Sequence, residues 1–168
     1  MQDVHAGLTI GGILEQTARR YPAKTALVFE DQRLSYRELD EQSNRLAHGL
    51  ISLGAARGAN VALLSRNSSE WVIAHFAVAK SGATLVPVNY LFVEREIEFV
   101  LENAAAPLLL VSAEFLDVAL SLRARLPRLK TVIALQGPAL ADGAAVADLI
   151  ANGSPEAPRV AIGEHDNY

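Results

Sequence analysis

Residues 71–89, WVIAHFAVAKSGATLVPVN, decide the fold. The apolar run is almost unbroken to Ala79; Lys80, Ser81 and Gly82 interrupt it, and a second run over residues 84–88 contains Pro87. These lengths suit a helix followed by a strand. Asn67 or Ser68 sets a side-chain oxygen where it can accept from the free N–H groups of the first turn, and Glu70 places a negative charge at the same end. Gly82 supplies the left-handed residue that ends the helix. A helix apolar on nearly every side has to be covered on more than one face, so this one belongs to a central layer.

Upstream, Thr9 caps a first helix that runs to about Tyr21, with Ile10, Ile13, Leu14, Thr17 and Ala18 at helical spacing before Pro22. Residues 25–36, TALVFEDQRLSY, read as two short strands about a turn at Asp31 and Gln32. Ser35 and Glu38 have the spacing of a capping box, so a helix begins at Tyr36. Leu39, Leu46, Ala47, Leu50 and Ile51 line its buried face, Arg37, Asp40, Glu41 and Arg45 stay wet, and Gly54 closes it. Residues 60–64 follow as a buried strand.

Downstream, residues 93–103 form a helix, 108–111 a strand, 113–126 a helix, 131–135 a strand and 144–151 a short helix. Apolar strands alternating with helices require a largely parallel sheet with helices on both faces, joined by right-handed crossovers. The fold class is therefore α/β with a short N-terminal hairpin. Residues 1–154 read as one α/β subdomain and residues 155–168 as a poorly patterned tail.

Composition narrows the function. Hydrophobic residues make up 51% and charged residues 20% of the 168, with a net charge of -4. Such a chain has enough core for one domain and no basic patch for nucleic acid. There is no cysteine, which removes disulfides, thiolate metal sites and cysteine nucleophiles. The first twelve residues, MQDVHAGLTIGG, lack a basic start and a long apolar core, and no run reaches the roughly 20 apolar residues that span a bilayer. The expectation is a soluble, cytoplasmic protein without a transmembrane segment.

Three stretches then acquire a common meaning: LSYREL (34–39), NVALLSRNSSEWVIAHFAVAKSGATLVPVN (60–89) and EREIEFVLENAAAPLLLVS (94–112). The first resembles the L-[ST]-Y-x-E-L core motif of adenylate-forming enzymes, and AKSGATLVPVN within the second is similar to their K-x-G-x-x-x-x-P-[LV]-[ND] motif. Acyl-CoA synthetases look closest. The resemblance runs from about Leu8 to the tail but covers only the N-terminal share of that family's length. It implies activation of a carboxylic acid with ATP and Mg2+ to an acyl-adenylate, then transfer to coenzyme A, in the setting of fatty acid metabolism. The family's phosphate-binding loop comes just past the position of Tyr168, and its adenine segment, ribose-binding carboxylate and catalytic lysine lie later still. On that basis this chain carries no catalytic residue, binds no cofactor or metal by itself, and has as its partner the remainder of the same enzyme, with self-association the expected remedy for surface left open. The alternative is a stand-alone binding or dimerisation module derived from the family.

The residues themselves point the same way. No G-x-G-x-x-G, G-x-x-x-x-G-K-[ST] or G-x-S-x-G occurs. His5, His48, His75 and His165 include no pair at i, i+4 spacing. His75 and Trp71 read as core or boundary residues, Glu94, Glu96, Glu98 and Glu102 as a solvated face, and Lys80 as a structural cation at a helix end. Ser65, Arg66 and Asn67 are different, because they follow a strand at the carboxyl end of a parallel sheet, where ligands gather; Pro87 and Asn89 stand at the end of the next strand. These five are the substrate-proximal candidates.

Overall fold

The computed structural model describes residues 9–141 and 143–162, so His5, His165 and the last six residues of the tail lie outside the described part. In order the elements are α1 (Ile10–Arg20), β1 (Thr25–Phe29), β2 (Gln32–Ser35), α2 (Tyr36–Ser52), β3 (Asn60–Leu64), α3 (Ser69–Ser81), β4 (Thr84–Val88), α4 (Glu94–Ala104) and β5 (Leu108–Val111). A 3-10 turn (Ala113–Phe115), α5 (Leu116–Arg125), β6 (Thr131–Ala134), β7 (Ala144–Ala145) and α6 (Val146–Asn152) complete the chain.

β1 and β2 make an antiparallel hairpin, and the other strands form a parallel sheet in the order β4-β3-β5-β6-β7. From β3 the chain steps through α3 to β4 on one side, then returns through α4 to β5 on the other. Right-handed crossovers in opposite directions put their helices on opposite faces. The cores obey this. Val61, Leu63, Leu108, Leu110 and Ile133 pack with α1, α2, α3 and α6, while Ala62, Leu64, Leu109, Val111 and Val132 pack with α4 and α5. Continuous apolar strands thus feed both layers by simple alternation.

α3 begins where expected: the Ser68 hydroxyl accepts from the Trp71 N–H at 3.1 Å, and Gly82 ends the helix at φ 77. The Ser35–Glu38 capping box is complete. The Glu38 N–H donates to Ser35 Oγ at 3.3 Å and the Ser35 N–H to Glu38 Oε2 at 2.8 Å.

β4 is an outer strand. The Thr84 N–H points inward, donating to the Ala59 carbonyl at 2.8 Å. By alternation Leu85 and Pro87 present their backbone to the open edge, where the missing N–H of Pro87 costs no ladder bond.

Four expectations need revision. The hairpin turns at Glu30 and Asp31, one residue earlier than expected, with Phe29 opposite Gln32 and Glu30 at φ 50. Residues 113–126 divide into a 3-10 turn and α5. Residues 144–151 begin with a two-residue strand, β7, too short to leave any period in the sequence. Asp40 and Arg45 are not free in solvent. The Lys80 side chain, 5% exposed, reaches back from α3 to Asp40 Oδ1 at 2.6 Å and Asn44 Oδ1 at 2.5 Å on α2, and Arg45 Nη1 donates to the Gly153 carbonyl at 2.8 Å.

Past α6, residues 153–156 lie along α2. Asn44 Nδ2 donates to the Pro155 carbonyl at 2.7 Å, and His48 Nε2 is 3.0 Å from the Glu156 carbonyl. Gly153 passes so close that a Cβ there would lie 2.2 Å from the Arg45 carbonyl oxygen.

Candidate functional site

Parallel register delivers the carboxyl ends of β3, β4 and β5 to one level, with Leu64 beside both Val88 and Val111. The chain leaves β3 toward one face of the sheet and leaves β4 and β5 toward the other, so a crevice opens at this rim. Ser65, the first residue past β3, is buried and donates its hydroxyl to the Arg66 carbonyl at 2.7 Å. Beside it the Ser112 N–H donates to the Leu64 carbonyl at 3.1 Å, extending the β3–β5 ladder by one rung. Its buried hydroxyl has no hydrogen-bond partner among the described residues.

Arg66 is exposed and held from two sides. Its guanidinium carbon stands 4.8 Å from the centroid of the Tyr90 ring, and Nε is 3.8 Å from Glu114 Oε1. Both partners are themselves partly exposed, so the pairing positions the cation without consuming it. Asn89 Oδ1 accepts from the Leu91 N–H at 3.0 Å and its carbonyl from the Phe92 N–H at 3.0 Å, which fixes the turn that carries Tyr90. Asn67 is exposed immediately before the Ser68 cap.

The structure therefore brings the loop of Ser65, Arg66 and Asn67 together with that of Asn89. Pro87 does not join them. It lies on the outer edge of the sheet, lining an apolar pocket of about 210 Å3 with Ile10, Trp71, His75 and Leu85. Sequence reasoning passed over Tyr90, Ser112 and Glu114. Tyr90 directly follows Asn89 and was within reach; Ser112 and Glu114 depend on the strand order 4-3-5, which no single segment reveals.

Trp71 and His75 stack at 5.6 Å with 9° between their planes, and Phe76 meets the imidazole edge-on at 5.4 Å. His75 Nδ1 is buried without a hydrogen-bond partner among the described residues, and burial pushes the imidazole pKa below its usual value. Three acidic residues of α4 have partners: Glu94 and Glu98 clasp Arg125 of α5, the latter at 3.6 Å, and Glu96 Oε2 accepts from the Val93 N–H at 2.9 Å. Among the described residues no three His, Cys, Asp or Glu side chains are grouped to hold a metal. No helix among them is long and apolar enough to cross a membrane.

The AMP-binding enzyme family model matches residues 14–166. The medium/long-chain-fatty-acid–CoA/3-oxocholest-4-en-26-oate–CoA ligase of Mycobacterium marinum is 33% identical over 154 residues, which cover 89% of this chain and 28% of that protein. Tyrocidine synthase 2 of Brevibacillus parabrevis is 39% identical over 115 residues, 68% of this chain and 3% of that one. Among solved structures, the anthranilate CoA ligase AuaEII in complex with anthranoyl-AMP superposes with a TM-score of 0.86 at 29% identity, covering 92% of this chain and 30% of the ligase. The N-terminal domain of FACL13 from Mycobacterium tuberculosis gives 0.83 at 29% identity over 94% of this chain and 40% of that domain. The chain thus spans less than a third of the M. marinum and anthranilate ligases. On fold, motifs and sequence match together, it belongs to the AMP-binding enzyme family and corresponds to the N-terminal portion of adenylate-forming enzymes.

Proposed function

We propose that this chain is the N-terminal α/β piece of an AMP-forming acyl-CoA synthetase, an enzyme that converts a carboxylic acid, ATP and coenzyme A to acyl-CoA, AMP and pyrophosphate. The observation that carries the reading is the 33% identity, over 89% of the chain, to a CoA ligase more than three times its length. In that enzyme the chain's own contribution is positional. Its sheet sets the level of the rim, and Ser65, Arg66, Asn67 and Asn89 edge the space where substrates meet. Arg66, steadied on Tyr90, offers a cation with free N–H donors to an anionic co-substrate such as ATP or coenzyme A. On this reading ATP, Mg2+ and coenzyme A belong to the complete ligase, whose remainder is the chain's proposed partner.

The same reading has this chain inactive alone. Incubated with ATP, Mg2+ and a panel of fatty and aryl acids, it is expected to release no acid-dependent pyrophosphate. Release above the buffer level overturns the assignment of the chemistry to other parts of the enzyme.

A further inference from the structure

A second concavity lies on the other side of the β3 exit loop from Arg66. It is a groove of about 610 Å3, within the size range of small-molecule sites, between the start of α3, the end of β6, the hairpin and α6. Leu34, Ile73, Leu135, Val146 and Ile150 give it apolar walls. Gln32 and Gln42 line it from the hairpin and α2, and its other polar groups converge at the first turn of α3. Gln136 Nε2 donates to Glu70 Oε2 at 3.0 Å and lies 3.4 Å from Ser68 Oγ. Ser69, 2% exposed, lines the same groove, and its hydroxyl has no hydrogen-bond partner among the described residues.

Glu70 is the one charged residue among the described residues lining this groove. Its hydrogen-bond partner there, Gln136, is a neutral amide, so the groove carries a negative charge without a matching cation on its walls. Apolar surroundings strengthen any charge pair formed inside them. An anion meets repulsion from Glu70 here, and a neutral molecule gains no ion pair from it, although the start of α3 and the Gln136 amide already favour the carboxylate. We propose that the groove is a binding site for a small organic cation, an ammonium on an apolar body, with the ammonium on Glu70 and Ser69 and the body against Ile73, Leu135 and Val146. This groove lies at the same end of the sheet as Arg66 but on the face of α3 and α6, shares none of Ser65, Arg66, Asn67 and Asn89, and does not depend on the acyl-CoA synthetase reading.

The test uses the 168-residue chain and three probes of one shape: phenethylammonium, 2-phenylethanol and phenylacetate. Backbone amides of Ser69, Glu70 and Gly137 and the side-chain amide of Gln136 are followed by NMR during titration. Phenethylammonium is expected to give saturable shifts at these groups and to bind at least about tenfold tighter than phenylacetate, the worth of one charge-assisted hydrogen bond. Glu70→Gln, which keeps shape and removes charge, is expected to weaken it about tenfold; Ala147→Trp, an exposed position on the groove wall, is expected to block it. Absence of saturation at these amides, equal binding of phenylacetate, or unchanged affinity in both variants overturns the proposal. Should either variant fail to fold, the comparison of the three probes on the unaltered chain still decides the matter.

Discussion

His75 shows how one buried atom becomes a measurable property. Its ring is fixed by Trp71 on one face and Phe76 at its edge, and Nδ1 finds no acceptor or donor among the described residues. Burial disfavours the imidazolium, so the folded-state pKa falls below the reference of 6.5. The sign follows. Above that reference both states are neutral and no stability is lost; as pH drops below it the unfolded chain takes up a proton that the folded chain resists, and stability declines until the folded pKa is passed. Urea unfolding from about pH 7.5 to about pH 5 is therefore expected to show a steeper loss for the wild type than for His75→Phe, which keeps an aromatic ring against Trp71. An equally steep loss in the variant removes His75 as the cause. Much at this scale was legible beforehand: the caps at Thr9, Ser35 and Ser68 and the left-handed Gly82 are local rules written in local residues.

At the scale of elements, local rules gave the helices and four of the five parallel strands but not what joins them. Lys80 illustrates the gap. Three residues of sequence explain a cation at the end of α3; only the packing of α2 across it shows that the ammonium turns inward to Asp40 and Asn44, with side-chain exposures of 5% and 14% in the ion pair. The same separation hid the clasp of Glu94 and Glu98 on Arg125 and the convergence of Arg66, Tyr90 and Glu114, while the fifth strand at Ala144 and Ala145 is too short to show a period. Removing one member of a buried pair leaves the other charged and unanswered. Lys80→Met is expected to cost about 3 kcal/mol in urea-induced unfolding, and the double variant Asp40→Leu with Lys80→Met to regain much of it, because no charge then stays buried. Equal losses in the single and double variants contradict an ion pair as the tie between these helices.

Across the whole molecule, exposed large apolar side chains are densest over residues 90–99. Leu91, Val93 and Phe99 are 72%, 64% and 68% exposed, Tyr90 and Phe92 lie beside them in sequence, and no strand among the described residues pairs with the outer edge of β4. Surface of this kind is ordinarily covered by further protein. Concentration-dependent self-association is expected in sedimentation velocity and should weaken in Leu91→Glu and Phe99→Glu; a strictly monomeric wild type at high concentration tells against it. The opposite flank, where residues 153–156 cross α2, has a different lesson. Asn44, Arg45 and His48 hold the carbonyls of Pro155, Gly153 and Glu156, so the helix reads the chain's path and ignores its side chains. That explains why this segment carries no pattern a sequence reader can find. The letter at 156 can be rewritten while Gly153 stays small and Ser154 keeps the hydroxyl that accepts from the Glu156 N–H at 3.2 Å, but a single-residue insertion at 154 throws the carbonyls of Pro155 and Glu156 out of phase: the segment tolerates a change of spelling better than a change of length.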